Sequence, residues 1–201
     1  MKLQDILIER AMQTLYHITR VDNAAQILAT GQFKLSASTG TRDKAQAPGH
    51  DWTPDHYFLS TARSPQSHFF QDLIGPASVV LVLSGEVLAQ RNRIRPHVDQ
   101  IGKAELDDGW GEDYGPGGYN EMEERIYSSS PTLQLPKPLN RVITSVHLLD
   151  LNNPTTLAKA VSGAESDASE EGFQRLQAVC KQNGIPIYLH KDIQRFKLLR
   201  P

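Results

Sequence analysis

A single cysteine, Cys180, rules out any internal disulfide in this 201-residue chain, which suits a reducing compartment. Long hydrophobic runs are missing too. The longest, Val79-Val80-Leu81-Val82-Leu83, is far short of the roughly 18 residues a membrane span needs, and reads as a buried strand. Residues 1–5 carry no uninterrupted apolar stretch of the kind a secretory signal peptide requires, so a cytoplasmic protein without membrane attachment is expected. Charge of one sign is also lacking. The formal net charge is -2, which leaves no polycationic footprint for tight nonspecific binding to duplex nucleic acid, although a local basic groove stays open. The seven histidines are scattered without ligand spacing, so no metal is expected. There is no Gly-rich dinucleotide fingerprint opening a helix, no P-loop, and no nucleophile elbow around Ser60.

What is present fits a globular α+β domain. The hydrophobic fraction, 39%, is enough to build a real core. Leu3, Ile6, Leu7, Arg10 and Ala11 fall at helical spacing. Residues 14–19 read as a strand, and Asp22 or Asn23 can cap a helix that Gly31 would stop. Further strands are expected around Phe33 and Leu35, over 56–60, 79–83, 122–128, 142–149 and 185–189. Helices are expected from Ser64-Pro65 to Gly75, near 86–90, after Asn153-Pro154, and around Phe173, Leu176, Val179 and Cys180. Two long polar loops, 37–55 and 92–120, interrupt this series, and loops of such length inside a domain are usually functional or disordered. Strict βαβα alternation is absent, which disfavours a doubly wound sheet. The expected division is a main domain over residues 1–150 and a helix–strand extension over 151–201 packed on it. A monomer or weak oligomer is expected.

Three segments carry chemistry. In Tyr16-His17-Ile18-Thr19, period-two alternation puts His17 and Thr19 on one strand face, where an imidazole and a hydroxyl can bond a sugar. A satisfied strand histidine is the plainer reading. In the run from His56 to Ser64, Tyr57 offers a ring for stacking, Ser60, Thr61 and Ser64 offer hydroxyls, and Arg63 offers a phosphate fork. The competing reading is a helix cap beside a core aromatic pair. In Asn120-Glu121-Met122-Glu123-Glu124-Arg125-Ile126, Glu121 and Glu123 share one face, and Met122, Glu124 and Ile126 share the other. Glutamates entering an apolar strand cost stability unless the face is solvated or the carboxylates have a task. One such task is stabilising positive charge that develops at an anomeric carbon; a second carboxylate can then take a proton from the nucleophile. The plain alternative is an acidic edge strand with Glu124 and Arg125 in surface ion pairs. Trp110, Tyr114 and Tyr119 stand in the glycine-rich stretch just before Glu121, and either grip a partner or pin the loop.

In their order along residues 14–128, these segments resemble the ADP-ribosyltransferase superfamily. The resemblance implies two small packed mixed or antiparallel sheets with a few flanking helices, and NAD as substrate. It implies that His17 and Thr19 bind the adenosine side and that Tyr57 flanks nicotinamide. Ser60 and Thr61 resemble the family's Ser-Thr-Ser element, with Ala62 in its third place. Glu123 would hold the nicotinamide ribose while Glu121 assists the acceptor; a one-residue change of register would bring in Glu124 instead. Trp110, Tyr114 and Tyr119 fall where the family recognises its acceptor, a protein or a nucleic acid. Two other readings keep the fold. One is an RNA 2′-phosphotransferase-like enzyme relying on Arg20, Arg42 and Arg63. The other is a non-catalytic binding or virion-type accessory module.

Overall fold

The computed structural model describes residues 14–35, 57–63, 65, 78–97, 123–149 and 170–191. It is an α+β fold of small antiparallel and mixed sheets with few helices. β1 (Thr14–Arg20) leads directly into α1 (Val21–Thr30). The helix begins one residue before the expected cap: Arg20 takes the extended N-cap position, and Asp22 lies in the first turn, where its charge suits the helix dipole. Gly31 ends it with φ 70°, a left-handed conformation that favours glycine. β2 (Gln32–Lys34) then pairs with β7 (Thr132–Gln134) in a two-stranded ribbon.

The four-stranded sheet has the order β1, β4 (Ser78–Ser84), β8 (Ile143–Leu149), β9 (Ile187–His190). β4 is its spine. Every residue from Ser78 to Leu83 is buried, as a β-branched apolar run between two neighbours requires. Val79, Leu81 and Leu83 face the main core, with Leu15, Val146 and Leu148. That side is covered by α1 and by α3 (Glu170–Asn183), which lie against each other, with Leu28, Leu176 and Cys180 in the same core. Burial pushes the Cys180 thiol up to about 11, so it stays protonated and unreactive at neutral pH. Val80 and Val82 face the other way, with Tyr16, Ile18, Ala62 and Leu149. α2 (Gly85–Ala89) follows β4, its first turn capped by the Ser84 side chain.

A three-stranded sheet has the order β3 (Tyr57–Thr61), β6 (Glu123–Ser128), β5 (Arg93–His97). β5 corrects the sequence reading, which placed residues 92–120 in one loop. Arg93-Ile94-Arg95-Pro96-His97 holds a single core-type residue and a proline. Its strand character comes from pairing with β6, at an edge where a proline's missing N–H is tolerated. The 131–138 turn likewise contains β7, and a 3-10 helix, Leu139–Arg141, follows it. The expected helices over residues 3–11 and after 153 lie outside the described residues, as do the 37–55 loop and, apart from Pro65, the expected helix over 64–75.

At the end of the larger sheet, among the described residues, β9 runs parallel to β8 and brings two imidazoles together. His147 Nδ1 and His190 Nε2 are 3.0 Å apart, and burial, with the neighbouring His190 charge, lowers the His147 pKa to about 4. A histidine with a depressed folded pKa contributes stability above its unfolded pKa, near 6.5, and that stability is lost as pH falls from there toward 4. The full shift corresponds to about 3 kcal/mol, and solvent screening of this partly exposed pair reduces the expected effect to about 2 kcal/mol. Urea unfolding at pH 7 and pH 4.5 should show this loss. A His147→Gln chain that loses as much stability over the same interval would contradict the assignment.

Candidate active site at the junction of two sheets

β1 and β3 belong to different sheets but touch through one bridge, with Tyr16 N–H donating to Ala62 O and Ala62 N–H donating to Tyr16 O, both at 2.8 Å. Continuing that antiparallel register by one residue sets His17 level with Thr61. Thr61 in turn pairs with Glu124 on β6. His17, Thr61 and Glu124 therefore stand in one row across three strands, although they come from chain segments 44 and 63 residues apart. Strand spacing of about 4.8 Å puts the two ends of the row about 10 Å apart across the strands.

The His17 ring is fixed from two sides. Its Nδ1 lies 2.9 Å from the Ser60 carbonyl, which can only accept, so Nδ1 carries the hydrogen and donates. The ring also meets Phe33 edge-on, centroids 5.2 Å apart and planes at 85°. Burial lowers the His17 pKa, opposed by the Ser60 bond, so the neutral ring dominates near pH 7. A neutral imidazole with hydrogen on Nδ1 keeps a lone pair on Nε2, an acceptor suited to a ligand hydroxyl.

Alternation along β3 and β6 separates the other expected residues. Leu59 and Ile126, paired in register, sit in the main core, and Thr61 and Glu124 share their parity. Ser60 pairs with Arg125, and Phe58 with Tyr127, on the opposite parity. Arg125 is buried and not at the surface: it is 3% exposed, with its guanidinium carbon 3.9 Å from the Phe58 ring centroid. A charged residue next to two glutamates reads as solvated, and only its tight position in the middle strand reveals otherwise. Glu123 pairs with His97 on β5 and has the parity of Arg125.

Thr19 is partly buried two residues beyond His17, and Arg20 is exposed at the end of β1. Arg63 is partly buried just past the bridge. Tyr57 does not join this group. It opens β3 opposite Ser128, packs on the main core, and stands four residues from Thr61, about 13 Å along the strand. Glu121, Trp110, Tyr114, Tyr119, Arg42 and Ser64 lie outside the described residues. Among the described residues no three His, Cys, Asp or Glu side chains gather to hold a metal, and no helix is long and apolar enough to cross a membrane. Phe33 escaped the sequence reading as a site residue, since a lone aromatic in a three-residue strand gives no sign of its neighbour.

Three solved structures of Thermus sp. 2.9 DarT are similar to this chain. The complex with carba-NAD+ is 12% identical, with a TM-score of 0.46, over 90% of this chain and 97% of that one. The complex with NAD+ is 13% identical, with a TM-score of 0.46, over 90% and 96%. The complex with ADP-ribosylated ssDNA is 14% identical, with a TM-score of 0.45, over 90% and 95%. No protein-family model and no curated protein matches the chain.

Proposed function

We propose that the chain is an NAD-dependent ADP-ribosyltransferase whose reaction takes place over the His17–Thr61–Glu124 row. The observation that carries this reading is the row itself: an acceptor imidazole, a hydroxyl residue and a carboxylate residue aligned across the junction of two sheets. Its length suits a ligand with two sugars. His17 Nε2 accepts a hydrogen bond from one ribose hydroxyl, with its ring held by Ser60 and Phe33. Glu124, at the other end, bonds the ribose that carries nicotinamide and offsets the positive charge that builds at the anomeric carbon as nicotinamide leaves. Glu124 is preferred to Glu123 because it has the parity of Thr61, and a neighbour on a strand belongs to the opposite face. Arg63 stands next to the bridge, and its guanidinium is the candidate partner for a phosphate of the same ligand.

ADP-ribose then passes to a macromolecular acceptor, a protein side chain or a nucleobase. Glu121 and the aromatic residues Trp110, Tyr114 and Tyr119 are the acceptor-side candidates by their place in the chain. The test is incubation of the purified chain with adenylate-labelled NAD and, separately, single-stranded DNA, duplex DNA, RNA and a protein extract. Nicotinamide release accompanied by transfer of label to one acceptor class is expected. His17→Phe should raise KM for NAD by about tenfold, the worth of one lost hydrogen bond of about 1.4 kcal/mol. Wild-type chain that neither binds NAD nor releases nicotinamide with any of these acceptors would end this reading.

A further inference from the structure

On the sheet face opposite His17, three side chains form a second hydrogen-bonded series. Ser145 Oγ lies 3.1 Å from His147 Nε2, and His147 Nδ1 lies 3.0 Å from His190 Nε2. Ser145 and His147 are two residues apart on β8, so they share a face; their partners on β4 are Val82 and Val80, which pack with Tyr16 and Ile18. His190 comes from β9, two residues after Tyr188, the partner of His147. We propose that Ser145, His147 and His190 form a nucleophile–base–orienter relay that takes an acyl or phosphonyl group onto Ser145.

A hydroxyl nucleophile is activated when a base stands within hydrogen-bond reach and a third group fixes that base. If Ser145 donates to Nε2, His147 must carry its hydrogen on Nδ1, and that hydrogen points at His190 Nε2. The imidazole centroids are 5.2 Å apart, close to the greatest separation possible for nitrogens 3.0 Å apart, so the two rings meet end-on. That is the arrangement of an N–H···N bond, and it leaves little freedom to the His147 ring. Tyr188 stacks on the same ring with centroids at 4.9 Å. His147 is 7% exposed, which keeps water from competing for its nitrogens, whereas Ser145 is only partly buried. Burial keeps His147 neutral throughout the neutral range, so that its Nε2 lone pair faces Ser145 unprotonated.

With an ester, Ser145 Oγ bonds to the carbonyl carbon and its proton passes to His147 Nε2. The C–O bond to the leaving group then breaks, and the departing alkoxide takes that proton as an alcohol. The acyl group stays on Ser145 until water, giving a proton to the same Nε2, adds to the ester; the acid is released and the proton returns to Ser145. A fluorophosphonate traps the first half, since Ser145 Oγ bonds to phosphorus, fluoride leaves, and the proton goes to His147.

The full chain should therefore be treated with a fluorophosphonate probe, followed by intact mass measurement and peptide mapping. A single adduct on Ser145 is expected, absent in Ser145→Ala, with the rate lowered at least 100-fold in His147→Gln and about tenfold in His190→Phe. Circular dichroism confirms folding of each variant, and His190, on the outermost described strand of the sheet, serves where substitution of the buried His147 prevents folding. Absence of labelling in the wild-type chain, an adduct elsewhere, or an unchanged rate in folded His190→Phe and His147→Gln overturns the proposal. None of these outcomes bears on NAD cleavage, whose row lies on the other face.

Discussion

Replacing Glu124 with glutamine is expected to lower nicotinamide release at least 1,000-fold while leaving the fold intact. Glutamine keeps the size and hydrogen-bonding reach of the side chain and removes its charge. A carboxylate bonded to the reacting ribose matters most when that sugar becomes cationic, so its loss should fall on kcat and leave KM for NAD within about threefold. A 1,000-fold effect corresponds to about 4 kcal/mol of transition-state stabilisation, the range found when a single charge-stabilising group is removed. The parallel change, Glu123→Gln, should cost less than tenfold. Glu123 has the parity of Arg125 and Ser60, whereas Glu124 has that of Thr61, level with His17. Measuring both variants by single-turnover nicotinamide release distinguishes the two faces of β6. Equal loss in both, or loss in Glu123→Gln alone, would contradict the row.

Phe33→Ala should have the largest effect on stability together with a separate effect on the site. Phe33 is 1% exposed, belongs to the main core, and meets the His17 ring edge-on. Removing a buried aromatic ring costs about 3–5 kcal/mol through lost burial and the cavity left behind. Phe33→Leu keeps most of that volume and should cost about 1–2 kcal/mol. Both variants remove the aromatic edge that holds the imidazole, so both should raise KM for NAD even where the leucine variant is well folded. Denaturant unfolding gives the first quantity and steady-state kinetics the second. If Phe33→Leu weakens stability but leaves KM unaltered, Phe33 only fills space, and the Ser60 bond alone orients His17.

The elements legible in the sequence were those with a strong local pattern. β4 is a buried β-branched run, α1 ends at a glycine, and the His17 strand alternates its faces as expected, with Tyr16 and Ile18 on the side away from Leu15. β5 was not legible because its residues have no strand preference of their own and acquire one from β6. β2 and β7 are three residues each, too short for any period to emerge. At the candidate site, the division of the glutamates between two faces followed from alternation alone. Which of those faces meets His17 did not, since it depends on the Tyr16–Ala62 bridge between residues 46 positions apart. Arg125 and Tyr57 show the same limit. Composition assigns arginine to water and tyrosine to a ligand, whereas a ring partner buries the first and core packing holds the second.

That bridge has a mechanical consequence. At the bridge the four-stranded slab meets the three-stranded one through two backbone hydrogen bonds, beside the His17–Ser60 bond and the core that Leu59 and Ile126 share with Leu15 and Leu81, whereas each slab is laced internally by a ladder of strand pairs. Rocking of one slab against the other bends the backbone at that short stitch and shifts the core side chains the two slabs share. Any molecule spanning the stitch works as a splint. Its binding would stiffen the joint, and its departure would let the slabs pivot again.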